Sequence, residues 1–286
     1  MSAAPVLLGC AGRTLDLSRP LVMGVLNVTP DSFSDGGRFF SLETALGQGL
    51  RMAAEGAALL DIGGESTRPG ADPVSEAEEL RRVIPVIERL RAATDAVISI
   101  DTSKPAVIRA AAAAGVGLVN DVRALREPGA LEAAAASGCA VCLMHMQGEP
   151  RTMQLAPRYH DVVAEVREFL AARAAACRGA GIEAARLLVD PGFGFGKTVE
   201  HNLTLLRRLP EIAADGLPVL VGLSRKSILG TLTQRQAGER LAGSVALAVI
   251  AALNGARIIR AHEVAPTVDA LKVVGAVTGD GWLRGR

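Results

Sequence analysis

Polar side chains stand directly after a series of short apolar runs: Asn27, Asp61, Asp101, Asn120 with Asp121, His145, Asp190, Ser224-Arg225-Lys226, and Arg260 with His262. Taken singly, each has an ordinary structural use. Asp101 and Asn120 suit helix caps, and Asp61 suits a loop tie. In succession they point to a ring that faces a ligand, because buried polar groups cost stability unless something hydrogen-bonds to them. Asp101, Asp190 and Asn120 match a flat ligand edge rich in N–H donors, such as an aminopyrimidine. Arg68, Arg260 and His262 match a phosphate-type anion. His145, His160, His201 and His262 do not pair, and no cluster of His, Cys, Asp or Glu has zinc-ligand spacing, which argues against a structural zinc. A magnesium ion held through one amide oxygen and the oxygens of a diphosphate suits the ring, since that metal keeps several waters.

The elements that must position these groups are legible from periodicity. Apolar β-type runs cover Leu21 to Leu26, Leu59 to Ile62, Val97 to Ile100, Gly117 to Val119, Ala140 to Met144, Leu187 to Val189, Val219 to Leu223 and Arg257 to Ile259. Between them lie segments of helical spacing such as Ser41 to Glu55, Glu76 to Ala92, Pro105 to Ala114, Val162 to Ala180 and Ala242 to Leu253. Continuous hydrophobic strands separated by helical crossovers imply a parallel sheet buried on both faces. Eight such units predict an α/β fold, a single closed (β/α)8 TIM barrel, in which catalytic groups project from the carboxyl ends of the strands. Val6 to Leu8 and Thr14 to Leu17, flanking Gly12-Arg13, predict an N-terminal hairpin over the bottom of the barrel. No linker or charge block divides the chain, so residues 1–286 are expected to form one domain, with 1–20 a covering segment. An open doubly wound sheet is the competing architecture, because Gly192-Phe-Gly194-Phe-Gly196-Lys197-Thr198 follows a strand. A phosphate-binding Walker loop needs glycine where the chain has Pro191, and a dinucleotide fingerprint needs glycine where it has Lys197.

Composition removes other classes. With 31 basic against 30 acidic residues, net charge +1 and only 3% aromatics, the 286-residue chain lacks the charge and the stacking platforms of a nucleic-acid binder. Every apolar run is too short for a membrane span. Leu7-Leu8-Gly9-Cys10 lacks the segments that precede a lipoprotein cleavage site. Cys10, Cys139, Cys142 and Cys177 are too scattered for a disulfide scaffold, and a reducing cytoplasm fits them. Cys139 and Cys142 are three apart in a strand, so they face opposite sides and read as structural.

Two turn-rich segments, Asn27 to Gly37 and Gly63 to Gly70, directly follow the first two strands and read as lids. At this point whole motifs carry a resemblance. Met23-Gly-Val-Leu-Asn-Val-Thr-Pro-Asp-Ser-Phe-Ser-Asp-Gly-Gly37, Asp61-Ile-Gly-Gly-Glu-Ser-Thr-Arg-Pro-Gly70, Asp101-Thr-Ser-Lys-Pro105, Asp190-Pro-Gly-Phe-Gly-Phe-Gly-Lys197 and Ser224-Arg-Lys-Ser227 resemble, in this order, the dihydropteroate synthase family over roughly residues 20 to 275.

The resemblance implies an enzyme that joins 6-hydroxymethyl-7,8-dihydropterin diphosphate to 4-aminobenzoate, releasing diphosphate and making dihydropteroate for folate synthesis. It implies that Asp101, Asn120, Asp190 and Lys226 hold the pterin, that Arg260 with His262 holds the diphosphate, and that Asn27 helps to carry Mg2+. Arg68 joins the diphosphate group on its charge. Phe33, Thr67, Arg68, Phe195 and Ser227 are the candidates for the 4-aminobenzoate pocket, with the carboxylate near free backbone N–H groups at the start of the helix at Ser227. Asp101, Lys226, Arg260 and His262 are the candidate catalytic group, and a homodimer is expected from the family. Two other readings stay open: a pterin-binding paralogue without the condensation, and a folate-dependent methyltransferase barrel. Neither requires the anion cluster.

Overall fold

The computed structural model describes residues 6–28, 38–66, 73–149, 152–213 and 215–279. Strands β1 (Leu7–Cys10) and β2 (Arg13–Asp16) form an antiparallel hairpin with Cys10 opposite Arg13. The turn is Ala11-Gly12, one residue earlier than expected. A two-residue hairpin loop of this kind needs positive φ at both positions, and Ala11 (47°) and Gly12 (81°) supply it. Arg13 therefore opens the second strand.

Eight parallel strands then close a barrel: β3 (Leu21–Asn27), β4 (Leu59–Gly63), β5 (Val97–Asp101), β6 (Leu118–Asp121), β7 (Ala140–Met144), β8 (Leu187–Asp190), β9 (Val219–Gly222) and β10 (Ala256–Ala261), with β10 pairing to β3. Ten α-helices lie among the described residues: α1 (Arg38–Ala54), α2 (Glu76–Ala93), α3 (Pro105–Ala113), α4 (Ala130–Ser137), α5 (Val162–Gly179), α6 (Val199–Arg207), α7 (Leu209–Ala213), α8 (Ser227–Thr233), α9 (Leu241–Leu253) and α10 (Val264–Thr278). Local chemistry starts several of them. Ser75 accepts from the Glu78 N–H ahead of α2, Asp161 accepts from Val163 and Ala164 ahead of α5, and Pro105 opens α3. The fold is the (β/α)8 TIM barrel with an N-terminal hairpin.

Strand alternation sorts the barrel interior by height. Met23, Leu59, Val97, Leu118, Ala140, Cys142, Leu188, Leu220 and Ile258 form an apolar lower layer, sealed by Leu8, Cys10 and Leu17 of the N-terminal segment. Two residues further along β4, β6, β8 and β10 the inward positions are Asp61, Asn120, Asp190 and Arg260, and β5 adds Ser99 and Asp101. The outward faces pack on the helices in the main core. Cys139 belongs to that outer layer and Cys142 to the inner one, as the strand spacing requires. No helix of the described residues is long and apolar enough to cross a membrane.

Candidate active site

Asp61 anchors the mouth of the barrel. Its fully buried carboxylate accepts from Ser99 Oγ at 2.5 Å, Asn120 Nδ2 at 2.9 Å and Arg260 Nε at 2.6 Å. Arg260 Nη2 also donates to Asp101 Oδ2 at 3.0 Å, so one guanidinium bridges two strand-end carboxylates. Asn120 is thereby fixed with its amide nitrogen toward Asp61 and its oxygen away. Gly63 keeps the floor open between Asn27 and Asp101: a side chain there would start 3.7 Å from Asn27 Oδ1 and 3.6 Å from Asp101 Cβ. Burial, and then the neighbouring Asp61, push the Asp101 carboxyl up to about 7. A cavity of about 520 Å3 borders Asp101 on the side of Glu65, Lys104 and Arg123.

The opposite wall is the loop after β8. Asp190 is 5% exposed, its Oδ1 accepts from the Gly192 N–H at 2.7 Å, and its other oxygen takes no donor from the described residues. Burial raises its carboxyl to about 6. Gly192, Gly194 and Gly196 have φ of 69°, 80° and 62°. A Cβ at Gly192 would sit inside the His145 carbonyl oxygen and one at Gly196 inside that of Gln147, so both positions require glycine. Lys197 runs beneath this loop and donates to the carbonyls of Gly192 and Phe195, each at 3.0 Å, with Nζ 2.9 Å from His145 Nδ1. Burial and then the Lys197 charge push His145 down to about 3, so its neutral ring can accept at Nδ1. His145 and Lys197 thus support the loop from below.

Phe195 turns its ring to Lys226, whose Nζ lies 4.2 Å from the ring centroid. With Val122, Met144, Met146 and Met153 it makes a small apolar wall separate from the main core. Carboxylates, an amide and a lysine beside an apolar wall suit a flat heterocycle with polar edges. Burial and then Arg260 lower Lys226 to about 8. Across the mouth, Ser224 Oγ is 2.9 Å from His262 Nδ1 and Arg225 pairs with Glu263. Ser227, exposed, is the first residue of α8.

The pterin binding enzyme family model matches residues 23–262. The dihydropteroate synthase of Escherichia coli (strain K12) is 57% identical over 265 residues, which cover 93% of this chain and 94% of that protein. The chain belongs to the dihydropteroate synthase family. The solved Xanthomonas albilineans dihydropteroate synthase with 4-aminobenzoic acid superposes with TM-score 0.91 at 58% identity, covering 96% of this chain and 99% of that one. The same organism's enzyme in complex with 7,8-dihydropteroate gives TM-score 0.88 at 56% identity, with 95% and 98% covered.

For a dihydropteroate synthase family member, the expected pterin residues Asp101, Asn120, Asp190 and Lys226 and the expected anion residues Arg260 and His262 all lie at one barrel mouth, with Asn27 and Phe195 on its rim. Phe33, Thr67 and Arg68 lie outside the described residues. Asp121 is engaged elsewhere: it accepts from Ser103 Oγ and from the Arg123 and Leu125 N–H groups, which holds Ala124 and Leu125 at φ of 53° and 55°. Sequence reading gives no role to Ser99, Glu263 or Arg240, and it names Lys197 only as the residue that closes the glycine string. Arg240 donates to the carbonyls of Arg225 at 3.0 Å and Lys226 at 3.2 Å, steadying the Ser224-Arg-Lys-Ser227 string from α9's entry. Ser99 also had a visible signal, two residues before Asp101 on the inward face.

Proposed function

We propose that this chain condenses 6-hydroxymethyl-7,8-dihydropterin diphosphate with 4-aminobenzoate to give 7,8-dihydropteroate and diphosphate, in folate biosynthesis. The observation that carries this reading is the convergence of Asp101, Asn120, Asp190 and Lys226 beside Phe195, with Arg260 and His262 on the same mouth. Asp190 accepts two N–H bonds from the aminopyrimidine edge, and Lys226 donates to a ring oxygen or nitrogen. Arg260 keeps Nη1 for the diphosphate while its other nitrogens hold Asp61 and Asp101.

The C–O bond to diphosphate breaks first, its electron pair leaving with the anion, and the electron-rich dihydropterin shares the positive charge left on carbon. Arg260 and His262 stabilise the departing oxygen, while Asp101 and Asp190 oppose the cationic charge. The arylamine then forms the new C–N bond and gives up its proton; being a weak base, it needs no dedicated general base. We place the 4-aminobenzoate ring by Phe195, Phe33 and Thr67, with its carboxylate toward Arg68 and Ser227. The residues present fit a magnesium ion: Asn27 offers one amide oxygen, and no group of three or more His, Cys, Asp or Glu among the described residues is arranged to hold a metal, so diphosphate and water would complete the shell. When bound, magnesium would neutralise charge on the diphosphate.

A coupled diphosphate-release assay with both substrates tests the reaction: turnover is expected, and pterin binding without release would end the synthase reading in favour of a silent pterin binder. The lid reading has its own test. Titration of 4-aminobenzoate, or a sulfonamide resembling it, should show about 5- to 150-fold tighter binding with magnesium diphosphate present, a coupling of about 1 to 3 kcal/mol. Equal affinities would remove the lid role from Phe33, Thr67 and Arg68. We also infer one domain and a cytoplasmic homodimer. Four buried free cysteines support a reducing compartment, and exposed Ile250, Leu253, Val273 and Val277 on the adjoining helices α9 and α10 supply an apolar face for the partner.

A further inference from the structure

Three polar contacts meet at Ser224 Oγ. Ser224 Oγ lies 3.1 Å from Glu263 Oε2, 2.9 Å from His262 Nδ1 and 3.2 Å from the His262 backbone nitrogen. A hydroxyl has one proton to donate and two lone pairs to accept with. Arg225 Nε donates to Glu263 Oε1 at 2.5 Å, so the Glu263 carboxylate meets Ser224 with Oε2 as an acceptor. The Ser224 proton must therefore go to Glu263. The His262 backbone N–H takes one Ser224 lone pair, and the other can only receive a hydrogen from Nδ1. We propose that Glu263 is a positioning residue: anchored by Arg225 and acting through Ser224, it fixes His262 with Nδ1 protonated, so that Nε2 is the nitrogen that gains and loses a proton.

The consequence rests on the reading that His262 meets the diphosphate. Nδ1–H is retained in both charge states, so the cationic ring has one proton to give, at Nε2, and the departing diphosphate oxygen is its acceptor. The chain of bonds runs Arg225 to Glu263, Ser224 to Glu263, and His262 to Ser224, and it crosses from the β9–α8 loop to the end of β10. It therefore also locks the distance between the two halves of the anion end.

The test reads the tautomer directly. Long-range 1H–15N correlation spectra of uniformly labelled protein, with the His262 ring assigned from a His262→Asn variant, should place Nδ1 in the protonated range and Nε2 in the bare range once the ring is neutral. Glu263→Gln should reverse this. Arg225 would claim the new amide oxygen, leaving the NH2 to donate to Ser224, whose proton then turns to His262 Nδ1. The isosteric variant should keep its fold by circular dichroism, hold KM for the pterin diphosphate within a few-fold, and lose roughly 100-fold in kcat. Ser224→Ala should lose as much, and adding Glu263→Gln to it should cost nothing further. A wild-type ring with Nε2 protonated, or additive losses in the double variant, would overturn the proposal even if Glu263→Gln failed to fold. A wild-type protein that makes no dihydropteroate would sink the synthase reading instead, whatever tautomer its spectra show.

Discussion

Asp61 ties β5, β6 and β10 to β4 at the mouth. Three donors meet a carboxylate that is wholly out of solvent, and the one charged donor among them, Arg260, also restrains Asp101. Removing that guanidinium strands a buried charge. Arg260→Leu should destabilise the protein by about 3 to 5 kcal/mol in urea denaturation, well above the median for a surface ion pair. It should also weaken the diphosphate substrate more than a pterin without phosphate; equal losses for both ligands would mean that its role is confined to Asp61 and Asp101. Asp190 behaves differently because Gly192 gives it only one bond. Asp190→Asn would turn an amide N–H toward ligand donors and lose about 1.5 to 3 kcal/mol for each charged hydrogen bond, at least tenfold in pterin affinity by calorimetry, with the fold retained. Unchanged affinity would take Asp190 out of the pocket.

At the level of elements, the strand ends were readable because a parallel strand buried on both faces is a near-continuous apolar run, and the first polar residue after it marks the carboxyl end. Leu21, Leu59, Val97, Ala140, Leu187 and Val219 open their strands where the runs begin. The run at Gly117 starts one residue early, since Gly117 donates to Ile98 ahead of the strand and would clash with Val97 and Cys10 if it had a side chain. What periodicity does not carry is long-range partnership. His145 and Lys197 are 52 residues apart, and Arg260 and Asp61 are 199 apart, so nothing local announces either pair. The glycine loop after β8 was visible as a string, yet its reason is steric rather than anionic. Gly192→Ala forces a Cβ into a backbone carbonyl at positive φ. It should therefore displace Phe195 and weaken pterin binding strongly, while far-ultraviolet circular dichroism stays near wild type; wild-type affinity would show that the loop can yield there.

For the molecule as a whole, the separation of an apolar floor from a polar mouth divides stability from chemistry. Leu8 is fully buried against the lower layer of the barrel, so Leu8→Ala should cost about 2 to 5 kcal/mol in urea denaturation and leave kcat untouched. A fall in kcat without a fall in stability would contradict that division. The barrel follows from eight repeats of one pattern, whereas the hairpin turn falls one residue earlier than its sequence suggests because Ala11 accepts a positive φ that its type disfavours. The buried mouth also makes ligand capture a proton-exchange event. In the folded protein Asp190 is raised to about 6, above the ordinary value of 3.8, so this carboxyl favours folding less as pH rises through that interval. A pterin that needs the carboxylate ionised must expel the proton, and Lys226, lowered to about 8, must keep its own. Affinity should therefore rise from about pH 6 to about 7, where Asp190 and then Asp101 ionise, and fall above about pH 8. Close to pH 6, the heat of binding should change with the ionisation enthalpy of the buffer, because every pterin captured hands part of a proton to the solution.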